Sequence, residues 1–241
     1  MDTKRLLSYI RKATMDYDMI QEGDRIGVGI SGGKDSLSLL LGLKAMQRFY
    51  PVKYEVEAIT VSLGLPNFDL SGVQKMCDDI GVRYTVVETD IGEIIFDIRK
   101  ESNPCALCSK MRKGALNNEA KKLGCNKIAL GHNKDDVIQT LFLSLFYEGR
   151  IHTFAPVTYL DKTELYSIRP IMYAPEAEIV KFVQRENLPV VKSPCPVDGY
   201  TKREKIKEFI EEQSKEYPDL VEKVFGAIKR SNIRGWEKGI D

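Results

Sequence analysis

The stretch RIGVGISGGKDS, from Arg25 to Ser36, constrains the fold more than any other part of the chain. Its first half is an apolar run of strand length. It breaks into two adjacent glycines, and LSLLLGL (37–43) then continues with good helix formers. A strand, a glycine turn and a helix in that order form half of a βαβ unit. A chain that repeats the unit builds a parallel sheet with helices on both faces.

The repeat is present. YEVEAITVSL (54–63) reads as a second strand and 69–81 as a helix. RYTVVET (83–89) reads as a third strand, followed by a helix-like stretch over 91–100 and a helix over 107–123. KIAL (127–130) reads as a fourth strand, 134–147 as a helix and LYSIRP (165–170) as a fifth strand. An amphipathic helix over 2–20 precedes the sheet. After about residue 174 the pattern turns helical and charged, over 175–186, 201–214 and 217–231. The expected fold is α/β, divided into an N-terminal helix (1–22), a parallel-sheet domain (23–174) and a C-terminal helical region (175–241). Ligands on such sheets sit beyond the carboxyl ends of the strands. The glycine loop and GHNKDD (131–136) both fall there.

Composition narrows the class. Of 241 residues, 43% are hydrophobic and 29% charged, an ordinary globular balance. No apolar run approaches the length that spans a bilayer, and the N-terminus carries no signal-peptide pattern, so a cytoplasmic protein with no membrane partner is expected. The net charge of +1 gives no global attraction to nucleic acid. Between Cys105 and Lys127, however, Lys110, Arg112, Lys113, Lys121, Lys122 and Lys127 stand against Glu119 alone, a local charge of +5. Lys202–Lys207 and Lys229–Arg234 are further basic clusters. Each can be a solvated helix face or a grip on phosphates.

The glycine loop has three readings. The ATPase motif GxxxxGK[ST] requires glycine where Val28 stands and Ser or Thr where Asp35 stands, and fails twice. GxGxxG fits Gly27, Gly29 and Gly32, with Glu55 or Glu57 placed for a ribose, but leaves Lys34 and Asp35 without a purpose. The third reading takes Ser31, Gly32, Gly33, Lys34, Asp35 and Ser36 together. Adjacent glycines let backbone N–H groups converge on an anion, the following helix turns its N-terminus to the same point, and Lys34 adds charge. Asp35 suits such a loop if it holds Mg²⁺ or caps the helix.

Five cysteines, an odd number, do not make a disulfide framework. Cys105 and Cys108 form a CxxC at a helix start, where the N-terminus, Lys110 and Arg112 are expected to lower the thiol pKa. Cys195 lies in KSPCPVDG, a proline-bracketed loop. Three thiolates leave one position open on a zinc ion or a four-iron cluster. Cys77 and Cys125 read as core residues.

SGGKDS after a first strand resembles the signature of the PP-loop ATP pyrophosphatases, which cleave ATP between the α and β phosphates and adenylate a carbonyl oxygen. With PCALCSKMRKG (104–114), LGHNKDDVIQTLFLSLFY (130–147), IRP (168–170) and SPCP (193–196), the stretch from 25 to about 196 resembles the TtcA family of tRNA 2-thiocytidine synthetases. The resemblance implies an adenine-nucleotide α-hydrolase-like sheet, ATP with Mg²⁺, and a [4Fe-4S] cluster on Cys105, Cys108 and Cys195. It also implies ATP phosphates on the backbone amides, Lys34 and Ser36, with Gly131 and His132 beside the nucleotide. Asp35 and Asp136 would then hold Mg²⁺. Lys134 and Arg169 are further candidates near phosphate.

The same resemblance implies that an anticodon-loop cytidine of tRNA is adenylated and then attacked by sulfide, with a cysteine desulfurase or free sulfide as donor and a homodimer as the assembly. Lys110, Arg112 and Lys113 are the expected tRNA contacts. The alternatives are thiolation of uridine or a small molecule, or an ATP-binding iron or redox sensor without turnover.

Overall fold

The computed structural model describes residues 2–99, 104–196 and 202–237. Its strands are β1 (Asp24–Gly29), β2 (Tyr54–Val61), β3 (Arg83–Val87), β4 (Lys127–Ala129), β5 (Val157–Leu160) and β6 (Leu165–Ile168). Its helices are α1 (Thr3–Asp16), α2 (Lys34–Met46), α3 (Ser71–Asp79), α4 (Ile91–Glu93), α5 (Pro104–Lys122), α6 (Lys134–Glu148), α7 (Glu176–Arg185), α8 (Lys202–Glu216) and α9 (Leu220–Lys229). A π-helical turn, Ile94–Ile98, continues α4, so the helix-like stretch expected over 91–100 is two short pieces as far as Ile98, and Lys100 lies outside the described residues.

The sheet order is β3-β2-β1-β4-β6-β5. Every pair is parallel except β5 with β6. The expected parallel α/β sheet is therefore present, with one strand more than the sequence pattern gave. VTYL (157–160) is an antiparallel edge strand turned back by Asp161–Glu164. From β1 the chain moves outward through β2 and β3, then crosses to β4 on the other side. The strand order thus reverses between β1 and β4, and a crevice opens where their carboxyl ends diverge.

Gly27 and Gly29 lie inside β1 and serve packing. A Cβ at Gly27 would stand 3.1 Å from Ile59 Cδ1, and one at Gly29 would stand 3.0 Å from Leu116 Cδ2 of α5. Two of the three glycines of the formal GxGxxG thus admit neighbouring side chains, and Glu55 and Glu57 both pair with Arg25. The dinucleotide reading ends there.

One apolar cluster runs from Leu6 of α1 through the sheet to Phe225 of α9 and Trp236. Trp236 is fully buried, edge-on to Tyr17 and Phe225, and donates its indole N–H to the Phe154 carbonyl at 3.2 Å. The C-terminal helices therefore share the core of the sheet. Beneath it, Lys127 and Asp24 form a buried ion pair at 2.7 Å. Lys127 also donates to the Met19 carbonyl and Gln21, and Asn126 donates to Asp24. This pairing ties the start of β1 to β4. Among the described residues, no helix is long and apolar enough to cross a membrane.

Candidate nucleotide and cysteine site

The glycine loop enters the crevice directly from β1. Gly32 has φ +80°, a left-handed conformation suited to glycine. Gly33 is the N-cap of α2 and offers no side-chain cap, so the first N–H groups of the helix face the crevice. The serines build the loop. Ser36 Oγ donates to the Gly33 carbonyl at 2.9 Å and accepts from the Ser31 N–H, while the Gly33 N–H donates to Ser31 Oγ. The Ser36 hydroxyl thus sits inside the loop, within 3.2 Å of Ser31 Oγ as well. Asp35 does not cap the helix.

The segment after β4 forms the opposite wall. A Cβ at Gly131 would fall 2.9 Å from the Ser36 backbone N, so only glycine lets β4 approach α2 this closely. Asn133 and Asp136 form a reciprocal capping box at the start of α6. Asn133 also donates its side-chain amide to Asp35 at 2.9 Å.

Asp136 has a partner on each oxygen, the Asn133 N–H on one and Arg203 of α8 on the other at 2.9 Å. Burial pushes its carboxyl pKa up against the pull of Arg203. Both oxygens of Asp136 thus accept contacts within the protein, as do both oxygens of Asp35. Lys134 is engaged on the other side. It is buried, turned to Glu222 at 2.7 Å and lies over the Phe225 ring.

Lys34 is bound by two acids, Asp35 at 2.8 Å and Glu176 at 2.9 Å. Burial alone would lower its pKa, but the two carboxylates outweigh burial and raise it. His132 is a neutral imidazole. Burial first, then Arg169 and Arg203, press its pKa down to about 3. Its Nδ1 is buried without a hydrogen-bond partner among the described residues, and the ring lies 4.7 Å from Phe154. Arg169 is no surface ion pair. It is 8% exposed, donates to the Ala155 carbonyl and lies over Phe154. Desolvation lowers its pKa to about 10, still cationic at neutral pH.

A cavity of about 580 Å³ collects these groups. The glycine loop, His132 and Arg169 line one side, and Cys105, Cys108 and Cys195 line the other. Pro104 opens α5 as its first residue, so both cysteines of the CxxC sit in the first two turns. Cys195 arrives on the loop after α7, where the Val191 N–H donates to the Gly32 carbonyl at 2.9 Å. All three cysteines are free thiols. Cys108 departs from expectation. Burial raises its pKa, and Arg112 only partly offsets this. Among the described residues the three sulfurs do not close to metal-holding distance as they stand. The donor set nonetheless suits a soft metal centre, with three free thiols from two segments opening on one cavity.

A second chamber of about 520 Å³ adjoins the first and shares Ser31, Asp35, Val61, Arg112 and Ser193 with it. Lys34 and Lys192 face it beside apolar Leu63, Leu65 and Phe68. Arg112 thus stands at the junction of the two chambers and Lys113 at the rim of the first, whereas Lys110 is exposed outside both. The +5 segment is smaller in space than in sequence. Lys127 is buried with Asp24, Lys121 pairs with Glu164 and Lys122 with Glu119. Arg203, Lys207 and Lys229 are likewise paired with acids, Asp136, Glu176 and Asp16. Sequence reading did not anticipate Asn133, Glu176, Arg203 or Lys207 at the site.

The model of the PP-loop domain family matches residues 4–213. A tRNA-cytidine(32) 2-sulfurtransferase of Teredinibacter turnerae is 38% identical over 231 residues, covering 94% of this chain and 76% of its own. One of the same name from Geobacter sulfurreducens is 38% identical over 234 residues, covering 96% and 88%. The solved U34-tRNA thiolase NcsA from Methanococcus maripaludis with its [4Fe-4S] cluster superposes with a TM-score of 0.75 at 24% identity, over 94% of this chain and 80% of that one. That likeness shows the fold.

Proposed function

The chain belongs to the PP-loop domain family and, within it, to the family of the tRNA-cytidine(32) 2-sulfurtransferases, and on that premise we propose that it is an ATP-dependent tRNA sulfurtransferase forming 2-thiocytidine in the anticodon loop. The observation that carries the reading is the single cavity onto which an anion-binding helix N-terminus and three free cysteines both open.

ATP lies with its purine against Leu63, Leu65 and Phe68 and its phosphates at the amides of Lys34 and Asp35. Lys34 keeps an N–H beyond the two it gives to Asp35 and Glu176, and this one meets phosphate. Asp35 is the loop carboxylate that would hold Mg²⁺, through the lone pairs left beside those that accept from Lys34 and Asn133. The cytosine C2 oxygen attacks the α-phosphate and pyrophosphate leaves. Arg112 at the chamber junction and Arg169 in the first chamber offset the charge at the transferred phosphoryl group. His132, neutral at working pH, orients the base and moves no proton.

Cys105, Cys108 and Cys195 would hold the [4Fe-4S] cluster, which supplies an iron without a protein ligand where sulfide can be presented. Sulfide reaches C2 of the adenylated base and AMP departs, with no net redox change. A splayed-out loop cytidine reaches this cavity where a stacked, paired base would not. Lys110, Arg112 and Lys113 form the tRNA-facing rim, so binding weakens steeply with salt. The partners are tRNA and a sulfur source, a cysteine desulfurase or sulfide itself. The assembly is a homodimer and the setting the cytoplasm.

The test is pyrophosphate release from Mg·ATP with and without tRNA. Release that requires tRNA supports the enzyme. A chain that binds ATP and releases nothing with any tRNA is the sensor of the alternative reading.

A further inference from the structure

The two oxygens of Asp35 each begin a chain of polar contacts, and both chains end on α8. One runs from Asp35 Oδ2 to Lys34 at 2.8 Å, to Glu176 at 2.9 Å and to Lys207 at 3.1 Å. The other runs from Asp35 Oδ1 to the Asn133 amide at 2.9 Å, through the capping box to Asp136, and to Arg203 at 2.9 Å. Asp135 braces the first chain by accepting the Glu176 backbone N–H at 2.7 Å.

Charge explains why these chains need α8. Without Arg203 and Lys207, the acids Asp35, Asp136 and Glu176 would face the one ammonium of Lys34. That excess of negative charge would repel a polyphosphate and leave partly buried carboxylates uncompensated. With both cations the three acids on the two chains match three cations, Asp135 as the brace lying outside that count. Glu176 can then orient Lys34 without cancelling its charge, because Lys207 answers the second oxygen. Glu176 illustrates the balance. Burial would raise Glu176, yet Lys34 and Lys207 bring its pKa below the ordinary value.

We propose that α8 is part of the nucleotide site, with Arg203 and Lys207 as positioning residues that fix Asp35 and Lys34 through Asp136 and Glu176. The inference rests on reading the glycine loop as an ATP site. It adds that helix docking and nucleotide occupancy are one equilibrium. Coupling is reciprocal, so if docked α8 favours nucleotide, nucleotide must stabilise docked α8. The same helix follows the Cys195 loop in sequence, and that loop is hydrogen-bonded to Gly32.

The experiment is calorimetric titration of the full chain with Mg²⁺ and an ATP analogue blocked between the α and β phosphates. Arg203→Met and Lys207→Met should each weaken binding by about tenfold, and Arg203→Lys by less. Arg203→Met should add nothing in an Asp136→Asn background, and Lys207→Met nothing in a Glu176→Gln background. Hydrogen exchange supplies a second readout. The nucleotide should slow amide exchange in α8 of the unmodified chain but not of the Met variants.

Wild-type affinity in both Met variants overturns the proposal. So does an equal loss with and without the acid partner, which would mean direct phosphate contact or a general structural effect. If the unmodified chain does not bind the analogue, the ATP reading itself fails. Binding by the unmodified chain with unaffected variants removes only the role of α8.

Discussion

Val191 donates its backbone N–H to the carbonyl of Gly32 at 2.9 Å, so the loop that carries Cys195 is fastened to the loop that faces the nucleotide. The contact is tight on the side-chain side as well, since a Cβ at Gly32 would stand 3.1 Å from Val191 Cβ. Nucleotide chemistry and cysteine chemistry thus share a wall, and a change at Gly32 should disturb both.

Gly32→Ala is expected to cost about 1–2 kcal/mol from the left-handed backbone alone, before any displacement of Val191. Denaturant unfolding measures that cost. Alkylation of Cys195 should quicken in the same variant as its loop loosens. An unchanged alkylation rate would mean that the Gly32 contact does not hold the cysteine loop.

Gly131→Ala tests the opposite wall. The new methyl would press on the Ser36 amide, in the first turn of the helix that faces phosphate. Turnover is expected to fall about a hundredfold, because small misplacements at a reacting centre cost that much, with much smaller change in the affinity for tRNA. Steady-state pyrophosphate release and tRNA filter binding separate the two.

The His132 ring predicts a pH signature in stability. In the unfolded chain the imidazole takes a proton below about pH 6.5. In the fold it stays neutral until about pH 3. Its contribution is therefore fully present above about 6.5 and is lost progressively as pH falls toward 3. Between pH 7.5 and pH 5 the urea midpoint of the unmodified chain should drop more than that of His132→Asn. Parallel midpoints would contradict a buried neutral ring.

Lys127→Met leaves Asp24 charged, buried and without its cation. Removing one partner of such a pair costs roughly 3–5 kcal/mol, which equilibrium unfolding in urea would register directly. Affinity for tRNA should not change, because this lysine is buried at the start of β4, at the end of the strand away from the glycine loop.

What the sequence disclosed and what it withheld follow the range of the interactions. The glycine loop was legible because Ser31 to Ser36 are contiguous and the flanking strand and helix declare themselves by pattern. The CxxC was legible for the same reason. The strand at 157–160 was not, because four residues at an antiparallel edge make too short an alternation to stand out. Lys127 counted as surface charge in the sequence because its partner Asp24 is about a hundred residues away. Arg203 and Lys207 read as part of a basic cluster, since only the packing of α8 against α6 brings them to Asp136 and Glu176. The CxxC pKa failed for a different reason. Position at a helix start is visible in sequence, but the burial that raises Cys108 is not.

The most direct measurement of the central claim is mass analysis of nucleosides from tRNA incubated anaerobically with the iron–sulfur-reconstituted chain, Mg·ATP and sulfide. The account predicts 2-thiocytidine that disappears when ATP is omitted or when Cys108 is replaced by Ser. Thiolated uridine in its place, or unmodified tRNA despite a full complement of iron, would contradict it.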